Sequence, residues 1–193
     1  ENSTNTSYIY KITNLNYDNS KPIFSTQRNI KDVTSMDDGI WLSTNRGLIF
    51  YSFRNGDAKE FNLRNSTLKT NQLTQMLRSR NQPILWICSD NGLIKNDYFS
   101  SKFYKTDLNR FSESETCSVL SLFKDFENDY WFWMIDGLFR KEHNSEFFKK
   151  EYLNGYLDNN AKRFGMIRNM FENAEEHKIY FAFTQCIIEY NKV

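Results

Sequence analysis

Metal, redox and phosphate chemistry have little to work with in this sequence. Its three cysteines, Cys88, Cys117 and Cys186, are an odd number and form no Cys-x-x-Cys pair, so neither a disulfide framework nor a zinc site is expected. Cys88 stands at an apolar repeat position and reads as a small buried hydrophobe, and cysteine usage leaves the compartment open. The two histidines, His143 and His177, sit beside charged residues in expected turns. A solvated histidine is the expectation there, because a metal ligand or general base needs a second group nearby. Glycine is sparse, seven in 193 residues, which leaves no room for a phosphate-cradling loop, and no Gly-x-Ser-x-Gly elbow or His-Glu-x-x-His helix occurs. An excess of one charge is missing too. The formal net charge is +1, without the basic stripe of a nucleic-acid-binding domain. No apolar run nears the ~18 residues of a membrane span, and the polar opening Glu1-Asn2-Ser3-Thr4-Asn5-Thr6-Ser7 is not a signal peptide. The missing initiator Met reads as a mature chain or an excised piece. The expectation is no catalytic set, no metal site, no cofactor, no nucleic acid and no direct membrane insertion.

Aromatic residues are plentiful, at 17%, mostly Phe and Tyr, which favour strands. They recur in a pattern. Ile40-Trp41-Leu42-Ser43-Thr44-Asn45-Arg46-Gly47-Leu48 returns as Leu85-Trp86-Ile87-Cys88-Ser89-Asp90-Asn91-Gly92-Leu93, then as Tyr130-Trp131-Phe132-Trp133-Met134-Ile135-Asp136-Gly137-Leu138. A weaker copy, Ile179–Ile188, has Tyr180 in the Trp place, and the anchors are 45, 45 and 49 residues apart. A strand-rich period of roughly 40–50 residues with a Trp in each unit is the signature of propeller blades.

Each unit divides into four short strands at turn signals. The expected strands are Asp32–Met36, Ile40–Ser43, Leu48–Ser52 and Ala58–Asn62 in the first unit. The second has Leu73–Arg78, Leu85–Ser89, Leu93–Asp97 and Lys102–Thr106, and the third Ser118–Lys124, Tyr130–Met134, Leu138–Glu142 and Glu146–Lys150. The second strands, such as Tyr130-Trp131-Phe132-Trp133-Met134, are apolar on both faces, as strands covered on both sides must be. The Trp therefore reads as blade-to-blade packing and not as a sugar platform. Strands at Tyr8–Ile12 and Pro22–Thr26, and a last one at Ile187–Asn191, suggest blades cut at both ends. The expected fold class is all-β: β-propeller blades of four antiparallel strands, three of them complete at about 32–62, 73–106 and 118–150. Partial blades lie at 8–26 and 165–191, and 1–193 is a single segment of a larger propeller.

Function in a repeat fold lies in loops. The loops between second and third strands and those linking blades are expected on one face, where polar residues with interspersed aromatics suit an oligosaccharide. Chosen by loop position alone, the candidate ligand-binding residues are Arg28, Asn45, Arg46, Asn65, Asn71, Asp90, Asn91, Arg110, Asp136 and Arg163. Asp125-Phe126-Glu127-Asn128-Asp129 spaces its carboxylates as some calcium loops do, but a polar hairpin tip is the expectation.

The repeats quoted above resemble those of the two-component regulator propeller family, whose units run from a Val- or Ile-led strand through an Asp-x-x-Gly-type turn to "Leu-Trp-Ile-Gly-Thr" and "x-x-Gly-Leu". Val33 to Leu48 matches best, Ile84–Asn96 nearly as well, and Tyr130–Arg140 keeps Trp131, Gly137 and Leu138. The last copy departs, with Tyr180 for Trp and Cys186 where Gly is expected. The resemblance implies a fragment of a seven-bladed propeller in the periplasmic sensor portion of a hybrid histidine kinase, binding an oligosaccharide and controlling polysaccharide-utilisation genes. Its partners would be the remaining blades and the downstream sensor domains. Two other functions stay open: an interaction scaffold, including a homodimer built on exposed blade faces, and a propeller enzyme acting on polysaccharide. The enzyme would need two ionisable side chains converging near the channel mouth.

Overall fold

The computed structural model describes residues 6–10, 22–79, 82–97, 102–111, 118–151 and 167–192. They form antiparallel sheets, with one short 3-10 turn at Asp107–Phe111. A hairpin of β1 (Ser7–Ile9) and β2 (Phe24–Thr26) precedes blade 1, made of β3 (Ile30–Ser35), β4 (Gly39–Thr44), β5 (Gly47–Ser52) and β6 (Ala58–Phe61). Blade 2 is β7 (Leu73–Arg78), β8 (Ile84–Ser89), β9 (Gly92–Asp97) and β10 (Phe103–Lys105). Blade 3 is β11 (Val119–Lys124), β12 (Tyr130–Met134), β13 (Gly137–Lys141) and β14 (Lys149–Glu151). A three-stranded blade 4 follows: β15 (Ile167–Asn173), β16 (Lys178–Phe183) and β17 (Ile187–Asn191). Strands are neighbours in chain order in every sheet, and the first strands β3, β7, β11 and β15 adjoin one another in sequence from blade to blade. This is propeller geometry.

Strand boundaries depart from expectation at a few points. The fourth strand of blade 3 is Lys149–Glu151 rather than 146–150, because 142–145 are spent on a turn closed by Ser145 N–H to the Glu142 carbonyl at 3.0 Å. At the start, β1 spans Ser7–Ile9, and the expected extension to Ile12 lies outside the described residues.

The second strands of blades 1 to 3 are buried along their whole length, whereas β16 of blade 4 is buried on one face only, and alternation assigns each covered face to one neighbour. Ile40 and Leu42 meet the first hairpin through Ile9, Ile23 and Phe24. Trp41, Leu48 and Phe61 meet Leu85, Ile87 and Ile94 of blade 2. Trp86, Cys88 and Leu93 meet Tyr130, Phe132 and Phe139 of blade 3, and Trp131, Trp133 and Leu138 meet Ile179, Phe181 and Phe183 of blade 4. Trp41, Trp86 and Trp131 are 5%, 5% and 0% exposed, so the Trp is interblade packing as expected. Burial of an indole of this kind contributes several kcal/mol, at ~25 cal/mol per Å² over ~200 Å².

Polar side chains tie the inner strands together. Each first strand is bulged near its start, and a bulge frees backbone groups from the ladder. The Met76 N–H donates to Asp32 Oδ2 of the preceding blade at 2.6 Å, and the Leu122 N–H to Gln75 Oε1 at 2.8 Å. The hairpins between second and third strands close on a glycine: Gly47, Gly92 and Gly137 have φ of +108°, +107° and +128°. At Gly47 a Cβ would also lie 2.2 Å from the Phe61 carbonyl oxygen, so only glycine fits.

Candidate functional site

The expected loop residues come together at one end of the blades, but mostly as braces. Arg28 donates to the Arg46 carbonyl at 3.1 Å and pairs with Glu60. Asn45 Oδ1 accepts the Asn29 N–H at 3.1 Å, and Asn65 Nδ2 donates to the Glu60 carbonyl at 2.9 Å. Asn71 Oδ1 accepts the Leu63 N–H at 3.0 Å, while its carbonyl accepts from Gly47. Asn91 Oδ1 accepts from Lys105 Nζ at 2.9 Å, and the Asp90 carbonyl accepts from Ser118 Oγ at 2.9 Å. Arg110 stands apart on the 3-10 turn, exposed and 3.5 Å from Asp107. Arg46 and Asp90 present exposed side chains, Asp136 is half-buried, and Arg163 lies outside the described residues. A cavity of about 50 Å³ beside Asn91, Ser89 and Thr67 has room for little more than a water.

A larger space opens between blades 2 and 3. It measures about 480 Å³, within the range of small-ligand sites. None of the ten expected residues lines it. Its strand-borne walls are one register row from each blade, and turn residues including Asp107, His143 and Glu146 complete the lining. On blade 2, Lys95 pairs with Trp86 on one side and with Tyr104 on the other. On blade 3, Tyr130 pairs with Lys141 on one side and with Lys124 on the other. Because Leu93 and Phe139 face each other in the core, alternation turns Lys95 and Lys141 toward each other farther out. The floor is aromatic: the Trp86 and Tyr130 rings are 5.6 Å apart, and Tyr130 OH donates to Ser79 Oγ at 2.9 Å. Lys124 Nζ lies 5.6 Å from the Tyr130 ring centroid, a cation–π distance.

Electrostatics distinguish this groove. Burial and the Lys95 charge press the Lys141 ammonium below its usual range, against the opposing pull of Glu146 and Asp129. Lys141 donates to the Ser145 carbonyl, whereas Lys95 has no carboxylate partner among the described residues. Trp86 is buried with its indole N–H unpartnered among those residues, and so is the Thr106 hydroxyl on the same wall. The Trp131 N–H, by contrast, donates to Asp125 Oδ2 at 2.9 Å.

The acidic turn of blade 3 is the expected polar hairpin tip between β11 and β12, but two of its carboxylates are covered. Asp125 and Asp129 are 5% and 3% exposed. Lys192, just beyond β17, inserts its ammonium between Asp125 Oδ2 at 3.0 Å, Glu127 Oε2 at 3.1 Å and Glu172 Oε1 at 2.7 Å. Ligand atoms of Asp125, Glu127 and Asp129 lie within 4.8 Å of one another, but Lys192 and Arg140 already balance them. Burial alone would raise the Asp129 pKa, yet hydrogen bonds from Arg140 and from His143 outweigh it and hold the carboxyl below the usual range. His143 is thus half-exposed but engaged, with Nδ1 3.3 Å from Asp129 Oδ1. Asp32 is a carboxyl that burial pushes upward, and both its oxygens accept backbone N–H groups, from Met76 and Val33.

No protein-family model matches the sequence, and no curated protein does. Solved structures do. The chain superimposes on the extracellular domain of a B. thetaiotaomicron protein described as a hybrid two-component system, with a TM-score of 0.70 and 17% identity over 86% of this chain and 21% of that one. A second such extracellular domain from B. thetaiotaomicron gives 0.64 and 18% over 85% and 20%. The fold is a propeller's. The chain spans about a fifth of the length of these two structures. The N-terminal domain of Nup159 shares the architecture as well, with a TM-score of 0.55 and 10% identity over 89% of this chain and 44% of that one, so the fold alone leaves function open.

Lys95, Tyr104, Lys124, Tyr130 and Lys141 escaped the loop-based choice because they lie on strands, and the turn residues of the groove, such as Asp107 and Glu146, because they lie outside the chosen positions. One signal was present. The residue nine positions after each Trp is Phe50, Lys95 and Arg140 in turn, and that row faces the next blade.

Proposed function

We propose that this chain is part of a ligand-sensing propeller in the extracytoplasmic portion of a hybrid two-component sensor histidine kinase. In this reading it lies in the periplasm, recognises an oligosaccharide and controls polysaccharide-utilisation genes. The observation that carries the reading is the superposition over 86% of the chain on an extracellular domain of such a system. The aromatic-floored groove between blades 2 and 3 adds support, since ring stacking with polar walls suits a sugar. The segment binds and does no chemistry. Calorimetric titration of the intact protein with a panel of plant and host oligosaccharides tests this, with autophosphorylation as the second readout. Saturable binding that changes kinase activity is expected, and silence of a folded protein across the panel refutes it.

A second reading is an association surface. Phe171 and Tyr180 stack 5.0 Å apart on the outer face of blade 4, where Phe171 is 45% and Ile187 66% exposed. Light scattering over a concentration series decides, and a strict monomer sinks self-association through that face.

A further inference from the structure

Corresponding positions at the three blade interfaces are filled differently. Phe50 of blade 1 faces blade 2 at the level of Asn96, which donates to the Lys102 carbonyl at 2.8 Å and is 0% exposed. Arg140 of blade 3 lies 5.2 Å from the Trp131 ring, which is edge-on to Tyr190 of blade 4 at 5.6 Å. Neither interface opposes two like charges. At the middle interface the same two positions hold Lys95 and Lys141, and there the interface opens into about 480 Å³. Burial presses the Lys141 ammonium below its usual range, with Lys95 adding to the shift and Glu146 and Asp129 opposing it. Lysines outnumber carboxylates on the groove wall, Lys95, Lys105, Lys124 and Lys141 against Asp107 and Glu146, so an anion placed between the Lys95 and Lys141 ammonium groups gains from both.

We propose that the groove between blades 2 and 3 selects an acidic saccharide, whose carboxylate or sulfate is held between the Lys95 and Lys141 ammonium groups while its ring lies against Tyr104. This deepens the ligand-sensing reading and rests on it. Tyr104, 52% exposed, stands in the same register row as Lys95 and Trp86, so it offers an uncovered ring beside the charged pair. A hydrogen bond to a charged group contributes ~1.5–3 kcal/mol, which is about ten- to a hundredfold in affinity.

The test is calorimetry on the intact protein with trigalacturonic acid, its fully methyl-esterified counterpart and a sulfated chondroitin disaccharide. Binding of the acid, the sulfated probe or both at least about tenfold tighter than the ester is expected, and which of the two binds identifies the anion. Lys95→Gln with Lys141→Gln should abolish that preference. The double variant, unliganded, should keep a cooperative melting transition even though Lys141→Gln gives up the bond to the Ser145 carbonyl, which separates a binding defect from a folding defect. Equal affinity for acid and ester, or a preference that survives in the double variant, overturns the proposal. Ester binding that persists without any charge preference overturns it while leaving the sensing reading intact, whereas silence toward all three probes and toward the wider panel removes both.

Discussion

Removing the Lys192 ammonium is the most informative perturbation of this fold. Lys192→Met keeps the stem and deletes the charge. The side chains of Lys192, Asp125 and Glu172 are 5%, 0% and 3% exposed, so the variant strands carboxylates that water cannot reach. Breaking a buried pair from one side costs about 3–5 kcal/mol. For a chain of this size each kcal/mol moves Tm by about 2–4 °C, so a fall of ~6–20 °C is expected by differential scanning fluorimetry. The pH dependence has a defined sign. Burial lowers the Lys192 pKa, but hydrogen bonds to Glu172, Asp125 and Glu127 outweigh it and raise it above the usual lysine value. Its contribution is therefore complete below the unfolded-state value of about 10.4 and is lost as pH rises through the higher folded value. Two controls sharpen the reasoning. Glu172→Gln added to Lys192→Met should recover part of the loss by removing one stranded charge. Millimolar calcium should raise Tm in Lys192→Met and not in the parent, because only the variant leaves Asp125, Glu127 and Glu172 without their shared cation. A Tm fall of under about 2 °C for Lys192→Met, which is under ~1 kcal/mol, would refute the buried-cage argument.

Three further outcomes follow from the packing. Trp131→Ala should cost ~3–5 kcal/mol in urea unfolding, whereas Tyr180→Ala, on the uncovered face of blade 4, should cost under about 1 kcal/mol. Asp129→Asn should destabilise at pH 7 and progressively less toward pH 2, since the lowered folded pKa gives stability above the unfolded value of about 3.9 that is lost as pH falls through the folded one; a difference constant with pH would refute the assignment to the carboxylate. Gly47→Ala should cost at least ~1–3 kcal/mol from backbone strain alone, checked by chemical denaturation.

Local signals carried the blades, and distant pairs hid the rest. The two-faced apolar run at Tyr130–Met134 announced a covered strand because burial on both sides leaves no polar alternation. The Asn-Arg-Gly and Asp-Asn-Gly turns announced tight hairpins because positive φ needs glycine. The Asp125–Asp129 turn is legible as a polar hairpin tip, but its burial is not, because the cation that covers Asp125 is distant: Lys192 lies 67 residues beyond it. The contact of His143 with Asp129 crosses a hairpin and leaves no local signal. Loop position alone points to the Asn and Arg candidates, and the fold spends much of their hydrogen-bonding capacity on its own backbone, as with Asn65 and Asn71.

A repeat protein separates structural from specific positions more sharply than a single globular core does. Positions such as Trp41, Trp86 and Trp131 are constrained by the same neighbour in every blade, so their identity follows from packing alone. Positions nine residues later are not so constrained: Phe50, Lys95 and Arg140 share one backbone geometry and differ in chemistry. Where the neighbouring groups complement them, the interface closes, as Arg140 does beside the Trp131 ring that meets Tyr190 of blade 4. Lys95 and Lys141 line one groove instead, and no packing argument requires that. A pair of lysines beside an aromatic floor gains from an anion placed between them. The departure from the repeat, and not the repeat itself, therefore locates the place where this chain is built to meet something else.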